Sequence, residues 1–111
     1  MAEYAILIYE DESEWATATP EWIQRAAGEY QQFAQNNGSS LRGGSQLQPT
    51  MSARAVRDGA VSAGPMVATT PALAGYYVVE AADLDAAVEI ARQVPSKFGG
   101  VEVRPLFAGQ G

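Results

Sequence analysis

Neither cysteine nor histidine occurs in these 111 residues, and lysine occurs once, at Lys97. Without histidine there is no side chain with an unperturbed pKa near neutrality. Ser–His and Cys–His nucleophile pairs and the usual zinc ligand sets are excluded with it. Any catalysis falls to Asp, Glu, Tyr, Arg, Ser, Thr, Lys97 or backbone groups. A general base would then need its pKa moved by burial or by a neighbour. Without cysteine, disulfides say nothing about redox compartment. Basic residues are few, 7 against 13 acidic for a net charge of −6. That balance disfavours nucleic acid and anionic membrane as partners, because both need clustered Lys and Arg. No basic stretch is followed by a long apolar run, so neither a signal peptide nor a membrane span is expected, and the cytoplasm is the expected location. Gly43-Gly44 and Gly99-Gly100 lack the spacing of a phosphate-cradling loop. The acidic run Glu10–Glu14 lacks the ligand spacing and tight-turn glycine of a calcium loop, and reads as a solvated loop. No metal and no cofactor are expected.

What the chain does have is apolar sequence on two faces at once. Tyr4-Ala5-Ile6-Leu7-Ile8-Tyr9 reads as a strand whose alternating sets are Tyr4/Ile6/Ile8 and Ala5/Leu7/Tyr9. Tyr76-Tyr77-Val78-Val79 repeats the pattern. Successive strand side chains point to opposite faces, so both faces of the sheet want cover. An antiparallel sheet with one wet face would show a polar residue at every second position. The chain offers two good helices, enough for one face. A second copy of the chain is the simplest cover for the other.

The length and the 47% hydrophobic content suit one small domain with a real core. Residues 1–106 are expected to form it, with 107–111 as a flexible tail. After the first strand, Thr19-Pro20-Glu21 opens a helix: Thr as N-cap, Pro at the first helical position, Glu favoured by the macrodipole. Its stripe is Trp22, Ile23, Ala26, Ala27, Tyr30, Phe33 and Ala34. Asn37-Gly38 stops it, with Gly38 expected in the left-handed conformation. Ser39 to Pro49 reads as irregular. Ser52 to Arg57 and Ala60 to Ser62 form a hairpin around Asp58-Gly59. Leu73 to Glu80 is a strand. Asp83 caps a second helix that Pro95 closes, and Val101 to Arg104 is a last strand. The order is that of a ferredoxin-like α+β sandwich with an inserted strand, an antiparallel sheet with two helices on one face. A twin sheet on the open face gives a dimeric α/β barrel.

The ordered segments Ala5–Glu12, Gly44–Pro49, Val56–Gly59, Gly75–Glu80, Asp83–Ala87 and Val101–Pro105 resemble those of the YCII-related, or DGPF-domain, proteins. The resemblance covers nearly the whole chain. It implies a ferredoxin-like fold and a dimeric α/β barrel. It also implies, in some members, a polar cleft with a His–Asp pair, and in a few, action on small aromatic or ring-opened molecules. Genes of such proteins often neighbour those of extracytoplasmic-function sigma factors. The departures bear on chemistry. The family's Asp-Gly-Pro-Phe stands here as Ala63-Gly64-Pro65-Met66, the following Glu-Thr-Lys as Ala68-Thr69-Thr70, and the Gly-Glu before the Leu-x-Pro turn as Gly44-Ser45. The carboxylate inferred to be catalytic in relatives has no counterpart at Ala63, and no histidine exists to pair with it. The Gly-Pro turn is kept while the cleft charges are gone, which suits a more apolar pocket.

Two functions from different classes follow. The first is a homodimer that binds, and in the catalytic version transforms, a small organic molecule without a cofactor. Proton transfer, cyclisation, isomerisation or elimination on an aromatic or carbonyl compound fits the residues available. Tyr9, Arg54 and Tyr76 are the candidate catalytic groups. The phenols would donate to a developing oxyanion and Arg54 would meet an anionic substrate group. Arg42, Gly64, Pro65, Met66 and Tyr77 are the candidate substrate-binding residues. Each has a plainer alternative: packing for the tyrosines, a solvated loop charge for Arg42, a strand terminator for Gly64-Pro65. The second function is a non-catalytic regulatory or interaction protein tied to a sigma-factor circuit. It predicts a filled barrel and an exposed apolar patch.

Overall fold

The structure, a computed structural model, describes residues 1–108. Its elements are β1 (Ala2–Glu10), α1 (Glu12–Ala16), α2 (Pro20–Asn36), β2 (Leu41–Gln46), a 3₁₀ turn (Thr50–Ser52), β3 (Arg54–Arg57), β4 (Ala60–Ala63), β5 (Ala72–Ala81), α3 (Leu84–Ala91) and β6 (Gly99–Pro105). The main sheet runs β2-β5-β1-β6, with every neighbouring pair antiparallel. This is the ferredoxin-like strand order, with β3 and β4 set apart as a two-stranded sheet of their own.

Alternation along β1 decides which face is the core. Tyr4, Ile6 and Ile8 are buried, and they pack with Val79 and Ala81 of β5, Phe33 of α2, and Ala87 and Ala91 of α3. Both long helices therefore cover the same face. Each starts as its sequence dictates. Thr19 Oγ1 accepts the Trp22 N–H at 3.2 Å and Asp83 Oδ1 accepts the Ala86 N–H at 2.8 Å. Each such cap contributes about 1 kcal/mol. The two helices are tied at their ends by Asn37, which is buried. Its Nδ2 donates to Phe33 O and to Gln93 Oε1, both at 3.0 Å.

Several expectations are corrected. The Glu10–Glu14 run is not a loop: Asp11 caps the short helix α1 by accepting from Ser13 N at 2.9 Å and Ser13 Oγ at 2.6 Å. Those bonds hold the exposed Asp11 carboxyl below its ordinary pKa, the Ser13 hydroxyl being the larger influence. Gly38 does not adopt a positive φ. Asn37 ends α2 instead, through its backbone N–H and its side chain on the same Phe33 carbonyl. Ser39 to Pro49, expected to be irregular, holds β2, an edge strand of the main sheet. Leu-Arg-Gly-Gly-Ser-Gln has little strand propensity, so pairing with β5 makes it a strand. Gly44 sits at φ 154°, and a Cβ there would lie 2.6 Å from Tyr76 O. The Asp58-Gly59 turn does form, with φ of 49° and 81°, both positive as a two-residue type I′ turn requires. Of the expected tail, residues 109–111 lie outside the described residues. Among the described residues no helix is long and apolar enough to cross a membrane.

The uncovered sheet face and the candidate site

The sheet face away from the helices carries Ala5, Leu7 and Tyr9 from β1 and Leu73, Tyr76 and Val78 from β5. Register places Ala5 opposite Val78, Leu7 opposite Tyr76 and Tyr9 opposite Leu73. Leu73 and Tyr76 are 39% and 37% exposed, and the others are half-buried by their strand neighbours alone. The protomer measures 42 × 39 × 17 Å between its Cα extremes, a thin slab. Sheet and helices already fill such a thickness, since packed layers lie about 10 Å apart.

Charge on this face is largely paired. Arg42 Nη2 meets Glu80 Oε1 at 2.9 Å, and its Nη1 donates to Ser39 O and Leu41 O. Arg104 Nε donates to Glu102 Oε2 at 2.9 Å. That bond raises the Arg104 pKa and keeps the guanidinium charged. The β1–β6 register sets this pair on the open face, with Arg104 opposite Ala5, Glu102 opposite Leu7 and Gly100 opposite Tyr9.

The candidate residues divide among three places. Tyr9, Tyr76 and Arg42 share the open face. Tyr77 points the other way: its ring packs on Phe33 at 5.0 Å, and burial pushes its hydroxyl pKa up. Arg54, Gly64, Pro65 and Met66 belong to the β3–β4 arm and the segment leaving it. Arg54 Nη1 donates only to the adjacent Ala53 O. Met66 Sδ lies 4.0 Å from Arg57 Nη2, and Gly64 adopts φ 94°. A cleft of about 260 Å³ opens instead between Asp11, Glu12, Ser13, Thr69, Thr70 and Ala72. None of the candidate residues lines it. Glu12 there accepts both the N–H and the hydroxyl of Thr50 at 2.7 Å, which fixes the base of the arm.

Two further features escaped the sequence reading. Glu10 is buried on the helix face. Its Oε2 accepts the Phe98 N–H at 2.8 Å, while its Oε1 has no partner among the described residues. Burial, then the Glu10 carboxylate, then Tyr77 push the Tyr30 phenol far above its ordinary range. The alternation of β1 predicts an inward Glu10, since it falls in register with Tyr4, Ile6 and Ile8. Next to it Trp22 stacks on Phe98 at 5.1 Å and Trp15 meets the same ring edge-on at 5.0 Å. This cluster pins α1 and the start of α2 to the entry of β6.

An antiparallel four-stranded sheet with both long helices on one face defines an α+β protein of ferredoxin-like plan. The YCII-related domain matches the chain over residues 2–108, and the protein belongs to that family. It is 34% identical over 113 aligned positions to an uncharacterized protein of Rhizobium meliloti (strain 1021), an alignment that covers 93% of this chain and 90% of that one.

Proposed function

We propose that the protein is a homodimer in which two open sheet faces stack into an α/β barrel, and that the space between them binds a small organic molecule. The uncovered apolar face supports this reading. Leu7, Leu73, Tyr76 and Val78 are strand residues of a type that folding normally hides, and among the described residues Leu73 and Tyr76 stay more than a third exposed. Covering about 800 Å² per partner is an ordinary stable interface. The pairing of Arg42 with Glu80 and of Arg104 with Glu102 reduces the charge that such burial must desolvate.

In this arrangement Tyr9 and Tyr76 face the enclosed space as hydrogen-bond donors. Arg104 of β6, on the same face and paired with Glu102, is a guanidinium within this space that a carboxylate or enolate oxygen can meet. The reaction classes open to such a site are proton transfer, isomerisation, cyclisation and elimination, with phenol and guanidinium groups stabilising negative charge on oxygen. Tyr77, on the helix face, takes no part.

A thermal-shift screen against aromatic carboxylates and cyclic carbonyl compounds tests the binding. A ligand at a hundred times its dissociation constant stabilises the folded state by about 2.7 kcal/mol. Tyr9→Phe should weaken the best hit and Tyr77→Phe should leave its affinity unchanged. No shift with any compound, from a protein shown to be dimeric, would favour a barrel without a ligand site and an interaction role.

A further inference from the structure

The β3–β4 arm is a second uncovered apolar surface. Its strands pair only with each other, four residues against four, and a two-stranded hairpin is marginal in water without cover. Register and alternation put Arg54, Val56, Val61 and Ala63 on one face. Val56 is 61% and Val61 67% exposed, whereas Ala55 on the opposite face is buried against the protomer.

Charge says what covers it. From Thr50 to Pro71 the chain has two arginines, Arg54 and Arg57, and a single acid, Asp58. The remainder holds five basic and twelve acidic residues. Among the described residues neither Arg54 nor Arg57 makes a salt bridge, while four of the five basic residues of the body, Arg42, Arg92, Lys97 and Arg104, do, Arg25 being the exception. A basic, apolar arm on an acidic body with an apolar sheet face is complementary to a second copy of that body.

We propose that the arm crosses to the second copy and lays its Arg54/Val56/Val61/Ala63 face along the rim of that copy's open sheet face, beside the stacked sheet, so that Arg54 enters the barrel's binding space from the twin. This inference rests on the sheet-face dimer and deepens it. Each binding space is complete only in the dimer, with Tyr9 and Tyr76 from one copy and Arg54 from the other. The ligand it suits is an organic anion.

The test is an isotope-filtered NOE experiment on a mixture of labelled and unlabelled protein, which reports contacts between copies only. Val56 and Val61 methyls of one copy should show contacts to Leu7, Leu73, Tyr76 or Val78 of the other. The doubly substituted Val56→Asp/Val61→Asp protein alters two positions that are exposed in the protomer. It should keep the circular dichroism of the parent while its dimer dissociation constant rises at least tenfold. A dimer without those contacts, whose dissociation constant the substitutions leave unchanged, overturns the arm crossing and leaves the sheet-face dimer standing. A parent protein that is monomeric removes both. If the substituted protein fails to fold, the NOE pattern of the parent decides alone.

Discussion

Leu7 and Ile6 are neighbours in β1 with opposite duties, and substituting each separates the protomer's stability from the dimer's. Ile6 is fully buried under the helices, and Leu7 is half-buried on the open face. Leu7→Ser in a lone protomer removes side-chain surface that is already partly wet, at a cost to folding of about 1 kcal/mol. In a two-fold dimer each copy contributes its own Leu7. Fully burying a leucine contributes about 1.5–3 kcal/mol, of which about 1 is already realised in the protomer, so two copies lose about 1–4 kcal/mol of association. At 1.4 kcal/mol per factor of ten, the dissociation constant rises by about fivefold to several-hundredfold. Ile6→Ala does the reverse. It costs folding about 2–5 kcal/mol through the lost burial and the cavity left behind, with little direct effect on association. Sedimentation velocity over a range of concentrations gives the first number and urea unfolding of the dilute protein gives the second. A Leu7→Ser protein whose dimer constant is unchanged would place any interface elsewhere on the molecule.

Other substitutions test the local account. Gly99 lies where a Cβ would run into Tyr9 O, so Gly99→Ala should destabilise by about 1–3 kcal/mol in urea melts, as overpacking does; an unchanged midpoint would mean that β6 approaches β1 less closely. Tyr30 and Tyr77 hold their protons more tightly when folded, chiefly through burial. Above about pH 10 the unfolded chain releases phenolic protons that the folded chain keeps. The unfolded state then binds fewer protons, so stability is intact below pH 10 and falls as pH rises beyond it. Replacing Tyr30 and Tyr77 by Phe should remove the late part of the phenolate absorbance titration; a curve whose shape the substitutions leave unchanged would contradict their burial.

The sequence was most legible where one local rule acts alone. Thr19-Pro20-Glu21, Asp83 and Asp58-Gly59 each carry their own stereochemistry, and each stands where the spacing puts it. The double-sided apolar pattern of β1 likewise predicted an open face, because alternation needs no knowledge of neighbours. β2 was missed for the opposite reason. Leu41 to Gln46 has no strand signal of its own, and at Gly44 β5 comes too close for a side chain. Its identity as a strand belongs to its partner. Tyr76 and Tyr77 were grouped as candidates although adjacent strand residues must diverge, and the helix-face core takes Tyr77. Asn37 illustrates the same limit: read as part of a helix stop, it also ties α2 to the end of α3 through Gln93.

The mass of the intact protein in solution, measured by light scattering at micromolar concentration, bears most directly on whether the bare sheet face is an interface. Twice the 11.8 kDa chain mass is the predicted result. A well-behaved species of one chain mass across that range would contradict it, and would leave the apolar face of β1 and β5 in contact with water.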